Sequence, residues 1–228
     1  MITLTKAGQT GRLCLDKTPA APRCLAVKAI WQSNGDASRT DLDLRVGILL
    51  PDGRMKLVHA PRQPGSFDHD PWVLHLGDVT AATANAPGTE IVEVNPEIAR
   101  FSGGRVALVF SLYSAVANGV VPVASLRPKM RMEYGSQVVE CDFDFTTSET
   151  GQNKAIYTYV IGLAVIDNDG VSLQPSGVTS LPDSERTPWL TWDGADGVRL
   201  SMEGPAVMKG FASIMAKMVN VTNPRRYS

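Results

Sequence analysis

The sequence predicts a mainly β protein built as a single β-sandwich, and three observations support that fold class. Short runs rich in Val, Ile, Leu and aromatic residues recur along the chain, with turn residues between them. Apolar and polar side chains alternate within these runs, as in strands with one buried face. The turns Pro51-Asp52-Gly53 and Asp167-Asn168-Asp169-Gly170 suit hairpins, because proline presets φ and glycine accepts positive φ. Strands spaced in this way are typical of a sandwich.

The predicted elements follow from these patterns in chain order. Strands are predicted at residues 2–5, 12–15, 24–31, 41–50, 55–59, 73–76, 90–94, 105–113, 129–134, 138–145 and 156–166. A single helical turn is predicted at 95–101, with Asn95 as N-cap and Pro96 at the first helical position. A C-terminal amphipathic helix is predicted at 204–219, where apolar residues recur every three or four positions. Residues 167–192 are expected to form an extended loop region within the domain.

Composition limits the classes of function. The chain has 228 residues, enough for one large domain or two small ones, and we predict a single domain spanning 1–228. The formal net charge of −1 excludes a general attraction to nucleic acid or to anionic membrane. The three cysteines have neither disulfide-framework nor metal-ligand spacing, which favours a reduced, cytoplasmic location. No signal peptide and no membrane insertion are expected, because no run approaches 18 apolar residues.

Segment 40–50 carries the most informative side-chain pattern. Because alternate residues of a strand point to opposite faces, one face of this strand holds Asp41, Asp43 and Arg45. The other face is apolar and consists of Leu42, Leu44, Val46 and Ile48. Two carboxylates and an arginine on one face form either a cation site or an internal ion pair.

Catalytic motifs are absent from the sequence. It contains no Gly-x-Ser-x-Gly nucleophile motif, no phosphate-binding glycine loop and no His-Glu-x-x-His. We therefore expect the protein not to be an enzyme. His75 is predicted to hold its own loop through hydrogen bonds rather than to bind a metal.

Several short motifs occur in an order that resembles the TerD family, the tellurium-resistance and stress-response proteins of bacteria. These motifs are Leu4-Thr5-Lys6-Ala7-Gly8-Gln9, Asp41-Leu42-Asp43-Leu44, His75-Leu76-Gly77-Asp78, Glu90-Ile91-Val92-Glu93-Val94 with Pro96-Glu97-Ile98, and Ser111-Leu112-Tyr113. The resemblance spans most of the chain and rests on the shared order of the motifs. It implies a β-sandwich that binds calcium, with Asp41, Asp43, Asp78 and Glu90 at ligand positions.

The sequence departs from the family pattern at the calcium positions. Arg45 stands where the family has a third aspartate, Val79 stands where it has asparagine, and residues 80–89 lack acids. A divalent cation beside Arg45 would be repelled in a low-dielectric pocket. Arg45 is also close enough along the strand to pair with Asp43. We therefore expect Arg45 to act as the internal counter-ion, with calcium binding lost or reduced to a single weakened site.

The resemblance implies a non-enzymatic stress-response or tellurium-resistance protein that acts through calcium-linked or calcium-independent protein interactions. Its expected partners are other proteins, in a homo-oligomer or a larger complex, without nucleic acid. The alternative is a structural or assembly subunit that uses the sandwich as a building block of a larger particle. Its contact surfaces would be the region of Trp189 and Trp192 and the methionine-rich helix at 204–219.

Overall fold

The mainly β fold class is confirmed by a computed structural model that describes residues 1–18, 20–33, 41–79, 82–83, 85–114, 122–148, 150–194 and 197–207. Within these residues the strands are β1 (Ile2–Leu4), β2 (Gly11–Cys14), β3 (Leu25–Trp31), β4 (Asp43–Leu49), β5 (Met55–His59), β6 (Gly65–Ser66), β7 (Val73–His75), β8 (Gly88–Val94), β9 (Val106–Tyr113), β10 (Lys129–Tyr134), β11 (Gln137–Cys141), β12 (Thr158–Ile166), β13 (Gly170–Gln174), β14 (Trp189–Asp193) and β15 (Gly197–Ser201). A short helix, α1, spans Ile98–Phe101, and 3-10 turns span Val123–Leu126 and Phe145–Thr147.

Two large sheets enclose the main core. The first has the strand order β1-β11-β10-β3-β8-β7-β6, and the second has the order β2-β13-β12-β9-β4-β5. Every second residue of β3 and β8 is buried, as the sequence alternation predicts. Buried apolar residues of both sheets form one cluster, which includes Val27, Val92, Phe110, Ile161 and Leu173. Burial of this continuous apolar surface is the main stabilising contribution to the fold.

A third layer covers part of the outer face of the second sheet. β14 and β15 form a separate antiparallel hairpin, and Leu190 at its centre is fully buried. Leu190 packs in a second apolar cluster with residues of β4, β5, β9 and β12, among them Leu49, Met55, Val109 and Val160. This layer explains why every residue of β4 and β9 is buried, on both faces of the sheet.

The prediction of an extended loop at 167–192 needs correction in two places. β13 lies in that stretch and pairs with both β12 and β2, so it belongs to the second sheet. β14 begins before the predicted loop ends. The Ser, Pro and Gly content obscured both strands, whereas the apolar residues Val171, Leu173 and Leu190 are fully buried.

Trp192 is half-buried and packs against the second apolar cluster. Its indole Nε1 donates a hydrogen bond to the Leu50 carbonyl oxygen at 2.8 Å. The guanidinium carbon of Arg105 lies 4.3 Å from the centroid of the Trp192 ring. Trp189 packs against the same apolar cluster. Both rings therefore attach the hairpin to the second sheet.

Replacing Trp192 with phenylalanine should lower the free energy of unfolding by about 1–2 kcal/mol, because the Leu50 carbonyl loses its indole donor. Urea unfolding followed by circular dichroism measures the change. Trp72→Phe is the matched control, since the Trp72 ring stacks on Phe101 outside this hairpin, and it should show a smaller loss. An equal loss in both variants would contradict the assigned role of the indole hydrogen bond.

The two predicted helices have different outcomes. α1 lies within the predicted turn 95–101 but begins at Ile98; the Asn95 side chain accepts from the Glu97 N–H at 3.0 Å, which caps the preceding turn. Most of the predicted helix 204–219 lies outside the described residues, and its first residues are not helical. Gly204 instead donates its N–H to the Thr187 carbonyl oxygen at 2.9 Å. Among the described residues, no helix is both long and apolar enough to cross a membrane.

Candidate metal centre

Three predicted ligands meet at one end of the two sheets. Carboxylate oxygens of Asp41, Asp43 and Asp78 all lie within 4.8 Å of one another. Asp43 begins β4 and is buried, Asp41 two residues earlier is half-buried, and Asp78 is exposed in the loop after β7. The cluster therefore joins the start of a strand in the second sheet to a loop of the first sheet.

Glu90, the fourth predicted ligand, occupies a different position. It faces the interior from β8 and is 1% exposed. Its Oε2 accepts a hydrogen bond from the Leu44 N–H at 2.6 Å, and its Oε1 accepts from the Val79 N–H at 3.0 Å. These donors belong to the residues directly after Asp43 and Asp78. Glu90 therefore connects the sheets and fixes the backbone beside two carboxylates of the cluster.

His75 holds the loop that presents Asp78. Its side chain is fully buried, and Nδ1 accepts a hydrogen bond from the Gly77 N–H at 3.2 Å. Its Nε2 lies 3.3 Å from Glu90 Oε2. Gly77 has φ of 138°, a conformation that favours glycine. The prediction that His75 holds its loop through hydrogen bonds is confirmed.

Arg45 lies on the same face of β4 as Asp43 and is 2% exposed. Its guanidinium carbon is 3.8 Å from the centroid of the Tyr113 ring, which is a cation–π arrangement. Tyr113 on β9 pairs directly with Asp43 on β4. The positive charge of Arg45 is therefore buried close to the acidic cluster, where the strand alternation predicts it.

Tyr113 and Glu185 belong to this region, although neither was predicted as a site residue. Burial, together with the facing carboxylate of Glu185, raises the pKa of Tyr113 above its usual range. Both carboxylate oxygens of Glu185 are buried, and neither reaches a donor at standard hydrogen-bond geometry among the described residues. Glu185 lies far from β9 in the sequence, so no local pattern could connect it with Tyr113.

His59 adds no positive charge at neutral pH. His59 on β5 is the strand-pairing partner of Arg45 on β4. Burial lowers the pKa of His59 below its usual value, and the charge of Arg45 lowers it further. Because the usual value for histidine is already near 6.5, the His59 ring is neutral at pH 7. His59 therefore does not contribute positive charge to offset the negative charge of the acidic cluster.

The cluster offers carboxylate oxygens, the ligands that hard cations such as calcium prefer. Calcium takes about six to eight oxygens at ~2.4 Å, so oxygens on opposite sides of one ion are separated by ~4.8 Å. One carboxylate oxygen each of Asp41, Asp43 and Asp78 lies within 4.8 Å of the other two, and three carboxylates can supply up to about six oxygens. Arg45 opposes binding because its positive charge is buried nearby.

Comparisons with known proteins assign no function. No family model matches the chain, and no curated protein sequence matches it. A solved structure described as that of SAV2460, a protein of unknown function, is similar with a TM-score of 0.48 and 20% sequence identity. The similarity covers 71% of this chain and 93% of the SAV2460 chain.

Proposed function

We propose that the protein is a non-enzymatic, TerD-like β-sandwich protein of the stress-response and tellurium-resistance type. It acts through protein interactions and binds one calcium ion weakly through Asp41, Asp43 and Asp78. The observation that carries the cation site is the approach of these three carboxylates to within 4.8 Å.

The charge balance supports a weak site. Like charges 4–5 Å apart repel by about 3–4 kcal/mol at the effective dielectric constant of a protein surface, so three converging carboxylates favour a bound cation. Arg45 supplies part of the compensating charge from its position over Tyr113. We therefore place the calcium dissociation constant at about 0.1–1 mM, in the weak range of protein calcium sites.

Calcium in this position links the two sheets. Asp78 comes from the loop after β7 in the first sheet, and Asp43 comes from the start of β4 in the second. Glu90 already connects the same two backbones through the N–H groups of Leu44 and Val79. The bound ion adds a second connection between these two backbones. It lies at the protein surface, where a protein partner can contact it.

In the alternative function, an assembly subunit, Trp189 and Trp192 would form a contact surface, but both side chains are half-buried. Trp192 donates its indole hydrogen bond within the chain, and Trp189 packs against the same cluster. We therefore prefer the calcium-linked binding protein.

Calcium should stabilise the wild-type protein against heat. At about 10 mM calcium, a site of the proposed affinity adds about 1.4–2.7 kcal/mol, which raises Tm by roughly 3–10 °C for a chain of this size. Asp78→Asn should lose this increase, because it removes one of the three carboxylates. Asp142→Asn, an aspartate outside the cluster, is the control and should respond like the wild type. Equal stabilisation of both variants would overturn the assignment of the site.

A further inference from the structure

Residues 175–188, here called the strap, are tied to the start of β12. The Val178 carbonyl oxygen accepts from the Val160 N–H at 2.9 Å, and the Ser180 N–H donates to the Thr158 carbonyl oxygen at 2.9 Å. Farther along, the Asp183 N–H donates to the Ala155 carbonyl oxygen at 2.8 Å. These bonds hold the strap against the second sheet just before Glu185.

A short series of contacts joins the strap to the metal centre. Glu185 faces the Tyr113 hydroxyl, Arg45 lies over the Tyr113 ring, and Asp43 pairs with Tyr113 across β4 and β9. The charges of Arg45, Asp43 and Glu185 are therefore grouped around the Tyr113 side chain. A buried carboxylate that lacks hydrogen bonds of standard geometry depends strongly on such a neighbouring charge.

We infer that Arg45 is a counter-ion shared by Asp43 and Glu185, so that cation binding and attachment of the strap are coupled. This inference rests on the proposed function. A cation at Asp43 repels Arg45 and satisfies the Asp43 carboxylate, which leaves Arg45 to attract Glu185 more strongly. Calcium therefore tightens the strap. Coupling between two sites is reciprocal. Attachment of the strap through Glu185 therefore strengthens calcium binding by the same factor by which calcium strengthens attachment of the strap.

The test compares Glu185→Gln with Asp183→Asn, a change in the same strap at a residue that accepts from the Tyr157 hydroxyl at 3.0 Å. Calorimetry on chelator-stripped protein measures calcium affinity. Hydrogen exchange at the Ser180 and Asp183 amides measures attachment of the strap. Circular dichroism confirms that each variant is folded, and Tyr113→Phe, which removes the hydroxyl facing Glu185, provides a second route if Glu185→Gln does not fold.

We expect Glu185→Gln to bind calcium roughly three- to tenfold more weakly than the wild type, and Asp183→Asn to bind like it. In the wild type, calcium should slow hydrogen exchange at the Ser180 and Asp183 amides by the same three- to tenfold factor. In Glu185→Gln, calcium should leave the exchange rates of these amides unchanged. If the wild type binds calcium but both variants bind equally well, the coupling is wrong and the cation site stands. If the wild type binds no calcium, the proposed function and the coupling both fail.

Discussion

Replacing Glu90 with alanine is expected to lower the free energy of unfolding by about 3–5 kcal/mol. The Glu90 carboxylate accepts from two backbone N–H groups, those of Leu44 and Val79, and its own exposure is 1%. Alanine leaves both donors without their acceptor and opens a cavity beside the buried His75 ring. Urea unfolding of the two proteins under identical conditions measures the difference.

Glu93→Ala is the matched control, because Glu93 lies on the same strand but faces outward. It should change stability by less than about 1 kcal/mol. Glu90→Ala should also lose calcium binding, since the backbones that present Asp43 and Asp78 are no longer held together. A Glu90→Ala protein as stable as the Glu93→Ala control would show that Glu90 does not connect the two sheets.

Replacing Arg45 with glutamine is expected to strengthen calcium binding at least about tenfold, because it removes a buried positive charge close to a divalent cation. Without calcium the same change should lower stability, since Asp43 and Glu185 both lose a counter-ion. Calorimetric titration of the two proteins measures the gain in affinity, and thermal unfolding with and without calcium measures the change in stability.

Arg105→Gln is the control for Arg45→Gln. Arg105 also lies over an aromatic ring, that of Trp192, but it belongs to the hairpin end of the second sheet. Its replacement should leave calcium affinity unchanged. If Arg45→Gln binds calcium no better than Arg105→Gln, Arg45 does not compete with the ion, and its assignment as internal counter-ion fails.

Local patterns predicted much of the fold and part of the site. Strand alternation placed Asp43 and Arg45 on one face, because the two-residue period depends only on the backbone. The order of β3, β4, β8 and β9 along the chain also follows from runs of apolar residues. Local patterns did not place the end of the strand predicted at 138–145, which ends earlier, at Cys141. The Asp144 side chain accepts from the Thr146 N–H and caps a 3-10 turn in the remaining part of that segment.

The roles of Glu90, Leu190 and Glu185 depend on contacts between segments that are far apart in the sequence. Glu90 accepts from the Leu44 N–H of the opposite sheet, and no spacing in the sequence predicts that contact. Leu190 belongs to a five-residue strand whose buried face is defined only by packing on β4, β9 and β12. Glu185 reaches Tyr113 because the chain returns from β13 along β12. Each of these residues acquires its role from tertiary contacts, which sequence periodicity does not contain.

The most direct test of this account is a calorimetric calcium titration of the chelator-stripped wild-type protein, repeated with Asp78→Asn. We expect one calcium ion per chain with a dissociation constant of about 0.1–1 mM, and loss of that binding in Asp78→Asn. Absence of binding heat at millimolar calcium would contradict the cation site. Equal binding by Asp78→Asn would show that calcium binds somewhere other than Asp41, Asp43 and Asp78.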